Sequence, residues 1–214
     1  MIITKVERQK KNPSRVSIHI DNQYAIGVHK EVLLHSRLRA GDLVSEKTLD
    51  QLKKEEESYA AYQSASRLLS YRARSERELR QRLQKKGFGT ESIDRTIESL
   101  VRSGLVNDVE FARAFAHDKL LRKPMGKTML VHQLRQKGIS REVIQQTVEE
   151  VYRDVDEDQH AVELARSRVK RFRSTFAGLD PLRQKKKLSA YLLQRGFQWE
   201  AVRKAVTEVL GEIE

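Results

Sequence analysis

Two stretches of the chain concentrate side chains whose chemistry is the binding of anions. Between positions 67 and 86 stand eight lysines and arginines (67, 72, 74, 77, 80, 82, 85 and 86) against two acids. Between 166 and 187 stand nine (166, 168, 170, 171, 173, 183, 185, 186 and 187) against Asp180 alone. Solvated helix faces also carry charge, but the acids here do not balance the clusters, and phosphates or a carboxylate-lined groove would relieve the repulsion. Such side chains give affinity and salt dependence without reading bases. The contact candidates are Arg72, Arg74, Arg77, Arg80, Lys85 and Lys86 in the first stretch. Arg171, Arg173, Lys185, Lys186 and Lys187 are those of the second. Leu79 and Leu83 must face a core, so the 100° helical step turns Arg77 and Arg80 outward and favours them over Arg82.

Other chemistries find little support. Gly126-Lys127-Thr128 copies the end of a phosphate-binding loop, but the glycine needed five residues earlier is Leu121, and helix precedes it rather than a strand. It reads as a turn. Asp154-x-Asp156-x-Asp158 begins like a calcium loop, yet the sixth and twelfth positions are Gln159 and Ala165. It reads as acids at a helix start. The histidines at 19, 29, 35, 117, 132 and 160 form no pair three or four apart, so no metal site is expected. No nucleophile elbow or catalytic carboxylate pair stands out, and the expectation is a protein without catalysis or cofactor. Phe88, Phe111, Phe115, Phe197 and Trp199 read as core packing rather than base stacking.

The elements that position the cations come in threes. Leu79 and Leu83 precede Gly87 by eight and four residues, as Leu130 and Leu134 precede Gly138, and Leu188 and Leu192 precede Gly196. Leucines four apart form one apolar stripe. The glycine stands just past the last turn, where the chain goes left-handed and only glycine does so cheaply. Phe88, Ile139 and Phe197 then pack back on the finished helix. A second helix follows Thr90, Ser140 and Gln198, of which the first two are good N-caps. Such units bury their apolar faces only by stacking on neighbours.

Composition agrees. The chain has 214 residues, 34% charged and 38% hydrophobic, with a net charge of +12 and no cysteine. An anionic partner, a reducing compartment and no membrane span follow as expectations. Residues 1–57 differ from the rest. Val16, Ile18 and Ile20 alternate with polar residues, as do Tyr24, Ile26 and Val28 across Asp21-Asn22-Gln23, which predicts a hairpin. Asn12-Pro13 marks an earlier turn after a strand within Ile2 to Lys10. Val32, Leu33, Leu34 and Leu38 supply the sheet's cover. A helix capped by Ser45 either runs unbroken into the Tyr59–Tyr71 segment or bends near Ser58, with Glu55 to Glu57 as a solvated face. Ser75-x-x-Glu78 and Asn107-x-x-Glu110 are capping-box spacings. The expected organisation is a β-rich extension over 1–57, then three-helix repeats over 58–104, 105–153 and 154–214. That makes nine helices in the repeats, in a mainly α chain.

The repeated Leu-x-x-x-Leu-x-x-Lys-Gly-(Phe/Ile) unit, with Ser75-x-x-Glu78-Leu79 before its first copy, resembles the RecX regulatory family. So does Gly104-Leu-Val-Asn107-Asp108-x-x-Phe111-Ala112 between repeats one and two. The likeness runs from about Tyr59 to the C-terminus, and a β-rich extension like residues 1–57 occurs in some members. The family often has Gly-Pro where this chain has Gly126-Lys127, and the third repeat keeps only the skeleton. The resemblance implies an extended, curved right-handed-helical array and a bacterial cytoplasmic protein that binds RecA and its filament on single-stranded DNA. It implies inhibition of RecA's ATP hydrolysis, strand exchange and coprotease activity in recombination, repair and the SOS response. A monomer, with double-stranded DNA as a further ligand, is also expected. The rival reading is a stand-alone helix-turn-helix-like DNA-binding protein. Against it, no single helix is rich in Asn, Gln and Arg at base-reading spacing.

Overall fold

In the computed structural model, residues 1–153 and 155–211 are described; Asp154, from the calcium-like pattern, and residues 212–214 lie outside them. The chain forms two compact units, 1–106 and 107–214.

The first unit opens with a three-stranded antiparallel meander: β1 (Ile3–Gln9), β2 (Asn12–Ile20) and β3 (Gln23–His29), with β2 central. Register pairs Val16 with Val28 and Ile18 with Ile26, so the alternating apolar residues share one face. Asp21 and Asn22 make the β2–β3 turn at φ of 48° and 66°, the left-handed pair that suits a two-residue hairpin. The expected turn at Asn12-Pro13 falls two residues earlier. Lys10 and Lys11 make it, and Asn12 pairs with Gln9 as the first residue of β2. Pro13 is tolerated there because β3 pairing begins only at Arg15.

Helices α1 (Lys30–Ser36) and α2 (Glu46–Tyr71) cover the sheet, around a core of Ile3, Ile18, Val28, Val32 and Leu52. Leu33 and Leu38 join this cover, but Leu34 is 67% exposed, on the outer side of a two-turn helix. α2 runs without a break past Ser58. Its acids are not the solvated run expected. Glu56 is buried, accepts from the His29 amide at 2.7 Å and pairs with Arg15 at 2.6 Å. Glu57 accepts from the Gly89 amide at 2.7 Å and the Ser92 hydroxyl at 2.8 Å. It therefore caps α4 (Thr90–Arg102) from outside. The N-cap position is Gly89, which has no side chain to offer, and Thr90 lies inside the helix rather than capping it.

Between them, α3 (Glu76–Lys85) is capped by the Ser75 hydroxyl, which accepts from the Glu78 amide at 3.2 Å. Leu79 and Leu83 are fully buried against Ala65, Ile97 and Leu100. Gly87 has φ +87°, and beyond it the Phe88 amide donates back to the Leu83 carbonyl at 3.4 Å, while Gly87 donates to Gln84 at 3.0 Å. This is the left-handed helix end that the spacing demanded. Gly104, at φ +72°, ends α4.

The second unit repeats that architecture twice. Helices α5 (Asp108–Arg122), α6 (Lys127–Gln136) and α7 (Arg141–Val151) are followed by α8 (Glu157–Arg171), α9 (Arg173–Ala177), α10 (Pro181–Gln194) and α11 (Trp199–Leu210). Asn107, Ser140, Asp156 and Asp180 cap their helices through side-chain oxygens. Gly138 and Gly196 both sit at φ +83°, with Ile139 and Phe197 donating back to Leu134 and Leu192. Leu130, Leu134, Leu188 and Leu192 are fully buried.

Three further expectations need correction. The described residues form eleven helices, because α1 precedes the repeats and the short α9 interrupts the third, anchored by buried Phe176. Trp199 is 57% exposed; the stripe of Ala201, Val202, Ala205 and Val206 faces the core, and the first residue of α11 falls off it. Gly126 is more than a turn residue. Its amide donates to the Arg195 carbonyl at 3.0 Å, Thr128 donates to Gly196 at 3.3 Å, and a Cβ on Gly126 would lie 2.0 Å from the Gly196 carbonyl oxygen.

Two stability predictions follow, both read by urea unfolding. At Gly87 an added Cβ meets nothing within 4 Å, so Gly87→Ala suffers backbone strain alone and loses about 1–2 kcal/mol. Gly126→Ala must force two backbones apart and loses more; equal stability to the parent protein would contradict the apposition. Glu57→Ala leaves the start of α4 uncapped and loses about 1–3 kcal/mol. Glu55→Ala is close to neutral by comparison, and similar losses for the two would show that Glu57 is not a cap.

Candidate anion-binding interface

Several cations of the first basic stretch brace the fold. Arg72 forks onto Glu78 at 2.9 and 3.2 Å and also donates to the Ala73 carbonyl at 2.8 Å. The Glu78 hydrogen bond holds its guanidinium above the usual arginine value. Arg74 donates to the Leu68 carbonyl at 3.1 Å, satisfying the last turn of α2. Burial, then repulsion from Arg72, holds Arg74 below the usual value. Arg80 donates to Glu76 at 2.9 Å and is also paired with Asp94 on α4. Burial works against its charge, but the bonds to Asp94 and Glu76 outweigh it and raise it. Lys86 donates to the Ser64 hydroxyl of α2 at 2.6 Å. Arg77, Arg82 and Lys85 are exposed along α3. The preference for Arg80 over Arg82 does not hold: both lie about 80° from the middle of the leucine stripe, and α4 presents Asp94 to the Arg80 flank while Arg82 stays exposed.

In the second stretch, Arg171, Arg173, Lys186 and Lys187 are exposed and Lys185 is half-buried. Aromatic rings flank Arg171 and Lys187, and with them Arg168 and Arg195. The Arg168 guanidinium lies 3.9 Å from the Phe172 ring centre and 4.6 Å from that of Tyr191. Arg171 stands over Phe172 at 5.8 Å, Arg195 over Tyr191 at 5.5 Å, and the Lys187 ammonium over Phe176 at 6.0 Å. Such contacts hold a cation in place without neutralising it.

Arg168, Arg171 and Arg195 line a cleft of about 650 Å³, whose other wall is the end of α5, Arg122 and Lys123. Among the described residues that line the cleft, Glu163 is the one acid. Sequence reasoning counted Arg168 within its run but did not single it out, and it missed Arg122, Lys123 and Arg195. These residues are far apart in the chain, and each alone looks like an ordinary cation at a helix C-terminus. The backbone bond from Gly126 to Arg195 brings them together.

The weaker motifs resolve into structure. Lys127 stands 3.7 Å from Glu157 and 5.5 Å from the Tyr152 ring centre, and its own amide donates to Glu157 at 3.1 Å. The Tyr152 hydroxyl donates to the Met125 carbonyl at 2.7 Å, and burial, with Glu157 close by, pushes the phenol well up. Asp156 caps α8 and Asp158 pairs with Lys204. Among the described residues no histidine or carboxylate group is arranged to hold a metal ion, and no helix is long and apolar enough to cross a membrane.

Comparison with known proteins identifies four consecutive domains. Residues 1–45 match the regulatory protein RecX N-terminal domain, and residues 61–100, 107–148 and 156–206 match the first, second and third RecX three-helix domains. The regulatory protein RecX of Listeria welshimeri is 30% identical over the whole chain and 78% of its own length. That of Clostridioides difficile is 30% identical over 98% of this chain and 96% of its own. A crystal structure of regulatory protein RecX superposes with a TM-score of 0.75 at 25% identity, covering 98% of each chain. The Lactobacillus salivarius RecX crystal structure shares the fold, with a TM-score of 0.60 at 21% identity over 72% of this chain and 96% of that one. On these matches the chain belongs to the RecX family of regulatory proteins.

Proposed function

We propose that this protein binds the RecA recombinase and its filament on single-stranded DNA, and restrains ATP hydrolysis, strand exchange and coprotease activity. The observation that carries this reading is the unbroken order of RecX domains along the chain. The charge distribution supports it. In the first stretch the exposed cations of α3, Arg77, Arg82 and Lys85, form the docking contact. Arg171, Arg173 and Lys185 to Lys187 form the second contact. These cations meet acidic protomer surfaces or DNA phosphates, giving fast, salt-sensitive association. The protein acts as a monomer in the bacterial cytoplasm, requires no cofactor and does no chemistry of its own.

The test is ATP hydrolysis by preformed RecA filaments on single-stranded DNA, titrated with the protein. Hydrolysis is expected to fall, and inhibition well below one molecule per RecA protomer would indicate action on filament ends or growth. Arg77→Glu with Lys85→Glu should raise the half-inhibiting concentration about tenfold, or 1.4 kcal/mol shared by two contacts, with helical content unchanged. Arg80→Glu, by contrast, breaks its pairs with Glu76 and Asp94 and lowers the unfolding midpoint of the first unit. Unchanged hydrolysis beside tight DNA binding would overturn the proposal and favour the stand-alone DNA-binding reading.

A further inference from the structure

We propose that the cleft formed by α5, α8 and α10 is a phosphate-binding site for the backbone of single-stranded nucleic acid, occupied whether or not RecA is present. It deepens the reading above by assigning a nucleic-acid contact to particular residues, but its physical basis is independent. The site is built rather than incidental. Arg168 is held against the rings of Phe172 and Tyr191, at 3.9 and 4.6 Å. Tyr191 is flanked in turn by Arg195, whose carbonyl is tied to the Gly126 amide. The planar guanidinium is thus positioned before any ligand arrives, which reduces the ordering cost of binding.

Charge counting argues against a purely structural role. The C-terminal ends of α5, α8 and α10 lie at the cleft, and each helix terminus carries about half a negative charge. Against that, among the described residues, stand five cations, with Glu163 in the cleft and Asp118, 2.8 Å from Arg122, as the acids that offset them. Three positive charges remain, against roughly one and a half from the helix ends. The surplus calls for an anion. Both rings are already in contact with guanidinium groups, so the ligand's recognised part is phosphate rather than base. A concave site between helix ends admits a flexible strand, whereas a duplex presents its phosphates on a stiff convex surface.

The experiment measures binding of a fluorescent oligothymidylate to the full-length protein, without RecA, across a range of salt. Lys123→Gln with Arg171→Gln should weaken binding about tenfold and flatten the slope of log K against log salt by about 1.4, for two lost single-strand phosphate contacts. Arg141→Gln with Arg203→Gln removes the same charge elsewhere on this unit and should leave the slope nearly unchanged. Circular dichroism checks each fold, and Arg122→Gln, on the exposed rim, serves if the first pair misfolds. Equal weakening by both pairs, or none from the cleft pair, would overturn the site. Complete displacement by inorganic phosphate at low concentration would assign the cleft to a free anion instead and overturn the strand. Equal binding of a duplex, with equal sensitivity to the cleft pair, would also overturn the single-strand assignment. Loss of oligothymidylate binding in the cleft pair, in a protein that leaves RecA's ATP hydrolysis untouched, would uphold this site while sinking the regulatory proposal.

Discussion

The structure depends on a helix that must stop abruptly after burying two leucines. In each three-helix unit a glycine at φ between +83° and +87° provides that stop, letting the next apolar residue fold back on the stripe just completed. A side chain at such an angle would be strained, and the second helix would leave in another direction. At Gly196 the requirement is doubled, since a Cβ there would also lie 2.2 Å from the Met129 amide nitrogen. The same glycine therefore ends α10 and admits the start of α6. That apposition draws Lys123 and Arg195 into one cleft.

A second theme is where the acids go. Glu57 caps α4 and Glu157 caps α6, in both cases because the helix begins after a glycine with no side chain to lend. Glu56 is spent on Arg15 and the His29 amide, Glu78 on Arg72, and Asp94 on Arg80. Asp156 and Asp180 serve their own helices. Many carboxylates thus satisfy backbone amides or internal cations. Exposed cations remain on α3 and in the third repeat, among them Arg82, Lys85, Arg171, Arg173, Lys186 and Lys187. A protein that sets its acids to structural work leaves its surplus cations to a partner.

Much of this was legible in the sequence because it is local. The leucine pairs, the left-handed glycines, the caps at Ser75, Asn107, Ser140 and Asp180, and the hairpin alternation depend on residues a few positions apart. What escaped depends on neighbours distant in the chain. Glu56 and Glu57 look like a solvated run until α2 is laid against the sheet and α4. Gly126 looks like a turn until Gly196 arrives beside it. Trp199 passes for core because one residue of helical phase separates a buried position from an exposed one. The cleft had no sequence signature, since its cations come from three helix ends each of which ordinarily carries a positive charge. The family resemblance reached further than the pattern did, because no charge count can name a partner.

The most direct measurement of the central claim is co-sedimentation of the protein with RecA filaments assembled on single-stranded DNA, followed as salt is raised. The account predicts that the protein pellets with the filament at low salt and is released progressively as salt screens its exposed cations. A protein that stays in the supernatant at low salt, while the filaments pellet intact, would contradict it.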